Sequence, residues 1–414
     1  MTGGMSGVLA VTFAISMLPV VVLLLFLASF VAIAVSHVRI PYTVALVFVG
    51  VMLAALGAVP TTALSPELVL DLLLPPLLFE AAFALRWKPL ARMSFPVSIL
   101  ATFGVAVSAI VGATVLVVTA GLPWSLALLF GVLVAATDPV AVVAFFQNAQ
   151  VAPELRALVE GESLLNDGIA VVLVGVLGEL TVGSHLDPVL VLRNLVWVAV
   201  GGLVVGGVVG LAGSLLARGT SDYLVEATVS VATAYGSYLI AEQLHVSGVL
   251  AVVATGSVFG NFGRRFGLSR QTEESIDLLW RFFAFIANSL VFLLLGSAVV
   301  PSALVQLGPL IGLGVVAALL GRAVAAYGLG GLLAAVTKSP PLAWRHVLFW
   351  GGLRGALPVV VAIAVSEKFQ LDPLLHELVL SVVLVTLFIQ GITLQPVLAR
   401  ALAPAHPARV PDAA

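Results

Sequence analysis

Long apolar runs separated by short breaks dominate this chain. Most runs extend for about 20 residues or more, the length of helix needed to cross about 30 Å of hydrocarbon. Pro, Gly or charged residues mark the breaks between them. Each run therefore predicts a membrane-spanning helix, because a helix satisfies its own backbone hydrogen bonds in lipid. Thirteen spans are predicted, with approximate bounds 6–36, 41–59, 67–86, 94–120, 123–147, 153–180, 188–217, 222–243, 246–262, 273–300, 303–336, 341–366 and 373–402.

The composition sharpens this interpretation. The chain is 61% hydrophobic and only 9% charged, whereas soluble domains average about 25% charged residues. We therefore expect an all-α polytopic membrane protein with a single transmembrane domain, 1–402, and a short cytoplasmic tail, 403–414. A net charge of −2 argues against a nucleic-acid partner, and the absence of Cys excludes disulfides, thiol chemistry and Cys metal sites.

The distribution of basic residues predicts an orientation. If the N-terminus is outside, fourteen of the 18 Lys and Arg residues lie on the cytoplasmic side. Only Arg193 and Lys368 fall outside, and Arg322 and Arg354 lie within spans. Cytoplasmic loops carry an excess of Lys and Arg. We therefore expect an external N-terminus and a cytoplasmic C-terminus in the cell membrane.

Two spans are interrupted near their middle. The fifth breaks at 137–139, TDP, and the twelfth at 351–358, GGLRGALP. Each precedes an unbroken helix, and the two broken spans are predicted to run in opposite directions. This pattern predicts inverted repeats in halves of roughly 41–180 and 222–402, with two crossing, unwound helices. Unwound backbone at that depth needs protein or water to satisfy it, and in secondary transporters such breaks form the ion site.

The sixth span carries a polar sector in an otherwise apolar helix. Glu162, Ser163, Asn166 and Asp167 lie on one side at helical spacing. Their oxygens are hard ligands suited to an alkali or alkaline-earth cation. The alternative is a network of hydrogen bonds between helices, which is as plausible for Ser163 and Asn166 alone.

Asp167 is the strongest candidate for chemistry. A carboxylate at the centre of a span costs roughly 2.5 to 3.5 kcal/mol on insertion scales. A proton and a cation compete for such a group. If Asp167 crosses the membrane barrier only when protonated or loaded with a cation, each turnover exchanges one for the other. No GxxxxGK[ST] phosphate loop occurs, so an ATP-driven pump is unsupported.

Other buried charges need partners. Glu80, beyond a Pro pair in the third span, either joins the site or reaches water at a helix kink. Arg322 is costly unless paired, since a guanidinium cannot escape by deprotonation. Glu162 is its best candidate partner, and Arg354 compensates either the broken helix ends or Asp138. Spacing alone leaves the pairing of Arg with carboxylate open.

Four motifs resemble those of one transporter family. They are LPPLLFE at 74–80, TDP at 137–139, EGESLLNDG at 160–168 and GGLRGA at 351–356. Together they are similar to the sodium/proton exchangers of the monovalent cation:proton antiporter superfamily, in its NhaP-like prokaryotic branch. The resemblance covers essentially the whole chain, including the order of motifs and the number of spans.

The resemblance implies roles for individual residues. Asp167 would bind proton and cation alternately, and Asn166 before it belongs to the Asn-Asp form linked to electroneutral one-for-one exchange. Na⁺ would bind at Asp167 with oxygens from Thr137, Asp138, Ser163 and Glu80. Glu162 would pair with Arg322, which agrees with the charge argument.

The resemblance also implies a homodimer that needs no cofactor and serves pH and sodium homeostasis. The short tail predicts no regulation through a long cytoplasmic extension. Potassium/proton exchange at the same site is the nearest alternative, because ligand types do not separate these ions. A cation channel is a remote alternative, since no carbonyl filter of the TVGYG kind is present. A transporter is expected rather than an enzyme, because Ser163 lacks the setting of a hydrolase nucleophile.

Overall fold

The computed structural model is almost entirely helical in the residues it describes. These are 3–37, 40–58, 65–149, 151–181, 188–220, 222–266, 270–337 and 339–403. All but the first residue of the predicted tail, 403–414, lies outside this part of the chain.

The first six spans match the predicted order. They are α1 (Gly3–Val35), α2 (Tyr42–Ala55), α3, α4 (Trp87–Ala120), α5 and α6 (Pro153–Thr181). α3 consists of a π-helical segment, Leu68–Leu73, followed by the α-helix Leu74–Ala84. α5 is broken into α5a (Trp124–Ala135) and α5b (Val140–Asn148).

Seven further spans follow. They are α7 (Pro188–Ala217), α8 (Tyr223–Gln243), α9, α10 (Arg270–Ser297), α11, α12 and α13 (Leu374–Ala401). α9 combines Gly248–Val258, the π-helical Phe259–Gly263 and Arg264–Phe266. α11 combines Gly308–Ala323, the π-helical Val324–Leu329 and Gly330–Thr337. α12 is broken into α12a (Leu342–Trp350) and α12b (Leu357–Phe369). The described residues thus group into thirteen spans, as predicted.

Seven of these spans are continuous helices long and apolar enough to cross a membrane within the described ranges. They are α4, α6, α7, α8, α10, α11 and α13. Most of the others are shorter or are divided by an unwound break. The chain is therefore a multi-pass membrane protein.

The predicted starts of two spans differ most from the structure. α4 begins at Trp87 rather than at 94, because Pro89 lies in the first turn, where its missing N–H removes no helical hydrogen bond. α11 begins at Gly308 rather than at 303, and a separate short helix, Pro301–Gln306, precedes it. Hydropathy alone did not separate these segments because all of them are apolar.

The helices form two bundles. We call α4, α5, α6, α11, α12 and α13 the six-span bundle, since α4 packs on α5a, α6 and α11, and α13 packs on α11 and both parts of α12. α1, α2, α3, α7, α8, α9 and α10 form the seven-span bundle, in which α10 packs on α1, α2, α3 and α8. The bundles meet where α6 contacts α3, α7 and α9 and where α13 contacts α2.

Close backbone contact and aromatic packing hold α10 in place. A Cβ at Gly50 of α2 would lie 2.9 Å from the Cα of Gly296 on α10, so only residues without side chains allow this approach. Phe79 of α3 packs on the fully buried Trp280 of α10, with ring centroids 4.1 Å apart. α3 and α10 therefore form one firm wall of the seven-span bundle.

Candidate functional site

The two broken helices cross at mid-span and are joined through their backbones. The N–H of Asp138 donates to the carbonyl of Leu353 at 2.8 Å, forming an isolated antiparallel bridge. The break in α5 begins where Ala136 adopts an extended conformation, and Pro139 cannot donate the next backbone hydrogen bond. The unwound segments thus satisfy part of each other's backbone, as buried irregular backbone requires.

Five of the predicted site residues line one central cavity beside this crossing. The cavity has a volume of about 110 Å³. Its polar side chains from the six-span bundle are Thr137, Asp138, Ser163 and Asp167. Glu80 of α3 lines it from the seven-span bundle. The structure therefore gathers three segments that are distant in sequence around one space large enough for a cation and a few waters.

Asp138 and Asp167 are partly exposed to this cavity, whereas the polar residues behind them are buried. The Asp138 Oδ1 accepts the N–H of Val140 at 2.9 Å and so caps the first turn of α5b. The cap orients the carboxyl group at the start of the half-helix, where the partial positive charge of the helix favours an anion.

Glu80 lies across the cavity from the two aspartates and does not join them in a ligand cluster. Among the described residues, no group of three or more His, Asp or Glu side chains is arranged to hold a metal ion. Glu80 therefore lines the same cavity as the aspartates without forming a three-carboxylate ligand set with them.

Asn166 was predicted to bind the ion, but it lies behind the cavity wall. Its side chain is fully buried, and its Nδ2 donates to the Thr137 Oγ1 at 2.9 Å and to the Glu162 Oε1 at 3.2 Å. Its Oδ1 accepts the N–H of Thr137 at 3.4 Å. Because both ends of the amide are occupied, Asn166 braces the broken helix and does not line the cavity.

Ser163 completes this brace. Its hydroxyl donates to the carbonyl oxygen of Thr137, so α6 holds the unwound segment at two positions. The hydroxyl oxygen retains lone pairs toward the cavity. Ser163 and Thr137 can therefore offer neutral oxygens beside the carboxylates, as hard cations prefer.

Glu162 and Arg322 form a buried ion pair. The Arg322 Nη1 lies 2.6 Å from the Glu162 Oε1, and its Nη2 lies 3.0 Å from the Oε2. The Arg322 Nε also donates to the carbonyl of Leu348 at 3.1 Å. The pair thus links α6, α11 and α12a, and it resolves the choice of partner that spacing left open.

Arg354 serves the broken helix rather than Asp138. It donates to the carbonyl of Gly352, and its Nη2 donates to the carbonyl of Ala318 at 3.2 Å. Within the described part of the chain it forms no ion pair. Arg354 is thus held by carbonyl oxygens of the broken segment of α12 and of α11, whose partial negative charge favours a guanidinium.

A second cavity, which we call the entrance cavity, lies along the same helices. It has a volume of about 240 Å³ and is lined at its charged positions by Arg86, Arg156, Glu160, Arg264, Asp277 and Arg281. α3, α6 and α10 line both cavities. The four Arg residues were predicted to lie on the cytoplasmic side, and the structure places them at one end of the bundle.

The ion pairs around the entrance cavity stay within each bundle. Arg156 pairs with Glu160 at 2.7 Å on α6, and Arg264 pairs with Asp277 at 2.9 Å across α9 and α10. The roles of Glu160 and Asp277 were not predicted from the sequence, although their spacing of four residues from Arg156 and Arg281 is a signal for helical ion pairs. The entrance cavity thus separates charged surfaces belonging to different bundles.

Comparison with known proteins identifies similar sequences over most of the chain. The family model described as the transmembrane sodium/hydrogen exchanger matches residues 21–400. The chain is 42% identical over 369 residues to the Na⁺/H⁺ antiporter ApNhaP of Aphanothece halophytica, covering 87% of this chain and 69% of that protein. It is 34% identical over 399 residues to the Na⁺/H⁺ antiporter NhaH of Halobacillus dabanensis, covering 91% and 96% of the two chains.

A solved structure shares the fold. The sodium proton antiporter MjNhaP1 of Methanocaldococcus jannaschii at pH 8 superposes with a TM-score of 0.81, covering 94% of this chain and all of that chain. The sequence identity is 19%. This likeness confirms the predicted antiporter fold, with its crossing of two broken helices.

Proposed function

Because this chain belongs to the sodium/hydrogen exchanger family, we propose that it exchanges protons for Na⁺ or Li⁺ across the membrane by secondary active antiport. The observation that carries the proposal is the placement of Asp138 and Asp167 in one cavity beside the crossing of the broken helices. Neutral oxygens of Thr137 and Ser163 accompany them. This is a small, hard-oxygen site open to water-sized species.

Asp167 is the proposed exchange group. It projects from an intact helix, while its neighbours Glu162 and Asn166 are occupied by Arg322 and Thr137. An empty, ionised Asp167 is costly to move through a low-dielectric barrier, whereas the protonated or cation-loaded form is neutral. Proton and cation therefore compete for the carboxylate, and each passage carries one or the other.

This arrangement supports the proposal of electroneutral one-for-one exchange. The Glu162–Arg322 pair is neutral as a unit, and the amide of Asn166 is uncharged and does not titrate near neutral pH. If Asp167 alone changes its occupant, each cation that moves one way is matched by one proton moving the other. No cofactor takes part in this cycle, and the proposed activity is transport rather than catalysis.

The nearest alternative cation is K⁺. The same oxygens bind either ion, and the choice depends on the size of the closed site and on how its ligands approach. We place Na⁺ first because ApNhaP and NhaH are named for Na⁺.

We further propose a homodimer in the cell membrane, with the N-terminus outside and the C-terminus in the cytoplasm, acting in pH and sodium homeostasis. The clustering of Arg86, Arg156, Arg264 and Arg281 at one end supports this orientation, since basic residues favour the cytoplasmic side.

Proton flux in reconstituted vesicles tests the proposal. Proteoliposomes with an imposed pH gradient and a lumenal pH dye are expected to lose the gradient when Na⁺ or Li⁺ is added. Asp167→Asn should abolish this loss, whereas Asp372→Asn, at an exposed site before α13, should not. Clamping the voltage with valinomycin and K⁺ should leave the rate unchanged if exchange is electroneutral. If vesicles containing the wild-type protein show no proton flux that depends on an added cation, the proposal is wrong.

A further inference from the structure

The side of the central cavity that the seven-span bundle lines is apolar except at two positions. Val69, Leu74, Leu77 and Leu78 of α3 line it together with Ala284, Val291 and Phe292 of α10. Glu80 and Asn288 are the polar exceptions on this wall. Glu80 was anticipated from the sequence, whereas Asn288 was not.

Asn288 lies on the helical face of α10 that lines both cavities. At about 100° per residue, positions 277, 281, 284, 288 and 291 fall within one narrow sector. Asp277 and Arg281 line the entrance cavity, and the later positions line the central cavity. The amide of Asn288 is therefore the next polar group on this face after the charges of the entrance.

The amide of Asn288 has no hydrogen-bond partner within the described residues, although it is half-buried. By contrast, the hydroxyl of the neighbouring Ser289 makes two hydrogen bonds. It donates to the Phe285 carbonyl at 2.5 Å and lies 2.7 Å from the Tyr42 hydroxyl. A polar group in apolar surroundings is costly unless something bonds to it. Because the Asn288 side chain lines the cavity, its amide can bond to a water molecule or a cation there.

We infer that Asn288 supplies its amide oxygen to the transported cation from the seven-span side of the cavity and thereby contributes to cation preference. The inference rests on the proposed function. An amide oxygen is a hard, neutral ligand, so it replaces a water of the hydration shell without changing the charge of the site. It adds to binding while leaving one-for-one exchange intact.

The position of Asn288 makes this ligand sensitive to ion size. Asp167 belongs to the six-span bundle and Asn288 to the seven-span bundle, so a cation held by both bridges two separately packed walls. The gap between the walls decides which ion radius is coordinated best. Within-bundle ligands such as Ser163 lack this dependence on the gap.

Cation dependence of transport in Asn288 variants tests the inference. Asn288→Ala and Asn288→Leu are expected to raise the apparent KM for Na⁺ by about three- to tenfold, the effect of losing one such polar contact. The ratios of KM among Li⁺, Na⁺ and K⁺ should change, whereas the maximal rate should change less. Asn288→Asp retains an oxygen and should keep the KM for Na⁺ at or below the wild-type value. Asn194→Ala, at an exposed site on α7, is the matched control.

A binding measurement separates this inference from the proposed function. In detergent, Na⁺ should raise the Tm of the wild-type protein, because a ligand that binds only the folded state stabilises it. The Na⁺ concentration for half of this effect should rise in Asn288→Ala and not in Asn194→Ala. Unchanged KM ratios and unchanged Na⁺ stabilisation would overturn the role of Asn288, even if wild-type exchange is present. A fall in maximal rate alone would also overturn it, since that indicates a structural role.

Discussion

Arg322 and Glu162 meet in a two-point contact inside the six-span bundle, with Nη1–Oε1 and Nη2–Oε2 distances of 2.6 and 3.0 Å. Their side chains are only 8% and 2% exposed. Such a pair fixes geometry well because the planar guanidinium matches the carboxylate. Glu162 also accepts a hydrogen bond from the Asn166 amide, and the same amide donates to the Thr137 hydroxyl. The ion pair therefore helps to position the unwound segment of α5.

Breaking this pair from one side should be worse than removing both charges. We expect Glu162→Gln or Arg322→Gln to cost about 3 to 5 kcal/mol, because each strands a buried charge. The double variant should recover part of that loss in thermal stability and in transport rate. Glu154→Gln is the control, since the Glu154–Arg92 pair has an Arg that is 72% exposed and should contribute at most about 1 kcal/mol. A double variant no better than either single one would contradict the coupling.

The Asp138→Asn variant should distinguish the hydrogen bond that Asp138 makes to the start of α5b from the effect of its negative charge. Asp138→Asn keeps an oxygen for the Val140 N–H and so preserves the start of α5b. We expect near-normal thermal stability but an apparent KM for Na⁺ raised about tenfold or more, as loss of a charged ligand implies. Asp222→Asn is matched, because Asp222 caps α8 through the Leu224 N–H at 2.9 Å and lies in an exposed position. Equal transport in both variants would show that the Asp138 charge is dispensable.

Asn166→Asp should disturb the brace rather than create a better ion site. The substitution replaces the NH₂ donor to Glu162 and Thr137 with a carboxylate oxygen, setting two acidic groups in contact. We expect a lower Tm by circular dichroism or dye-based melting, with a loss of about 1 to 3 kcal/mol from unsatisfied buried groups. Asn194→Asp on the exposed side of α7 should have little effect on the Tm. An Asn166→Asp protein as stable as the wild type would contradict the bracing role.

Gly355 should be intolerant of a methyl group. A Cβ there would lie 2.9 Å from the Asp138 Cβ and 3.3 Å from its Oδ2, so the aspartate or the backbone crossing must shift. We expect Gly355→Ala to slow exchange strongly, measured as proton flux in vesicles. Gly207→Ala on α7 is the control, because its Cβ would meet nothing within 4 Å. Normal flux in Gly355→Ala would indicate that the crossing has room to move.

Much of the architecture could be predicted because it depends on local chemistry. Hydrophobic runs of spanning length predicted the thirteen helices, and the breaks at Pro139 and within 351–358 occur where Pro and Gly disfavour a continuous helix. The Glu162–Arg322 pairing was anticipated from the high cost of a lone buried guanidinium. These inferences need only the properties of one residue or one run.

Other features depended on which helices meet, and no single run encodes that. Helical spacing placed Asn166 and Asp167 in one polar sector, but only the packing against Thr137 turned the Asn amide away from the cavity. Hydropathy did not reveal the π-helical segments or the start of α4, because apolar residues suit either backbone.

The sequence by itself therefore determined a polytopic helical membrane protein with costly carboxylates, two broken helices and a family likeness. The tertiary structure decided which groups share a cavity: Asp138 with Asp167 on one wall, and Glu80 with Asn288 on the other. The physical reason is that the cost of burying a polar group is a local property, whereas its partner is chosen by the packing of distant spans.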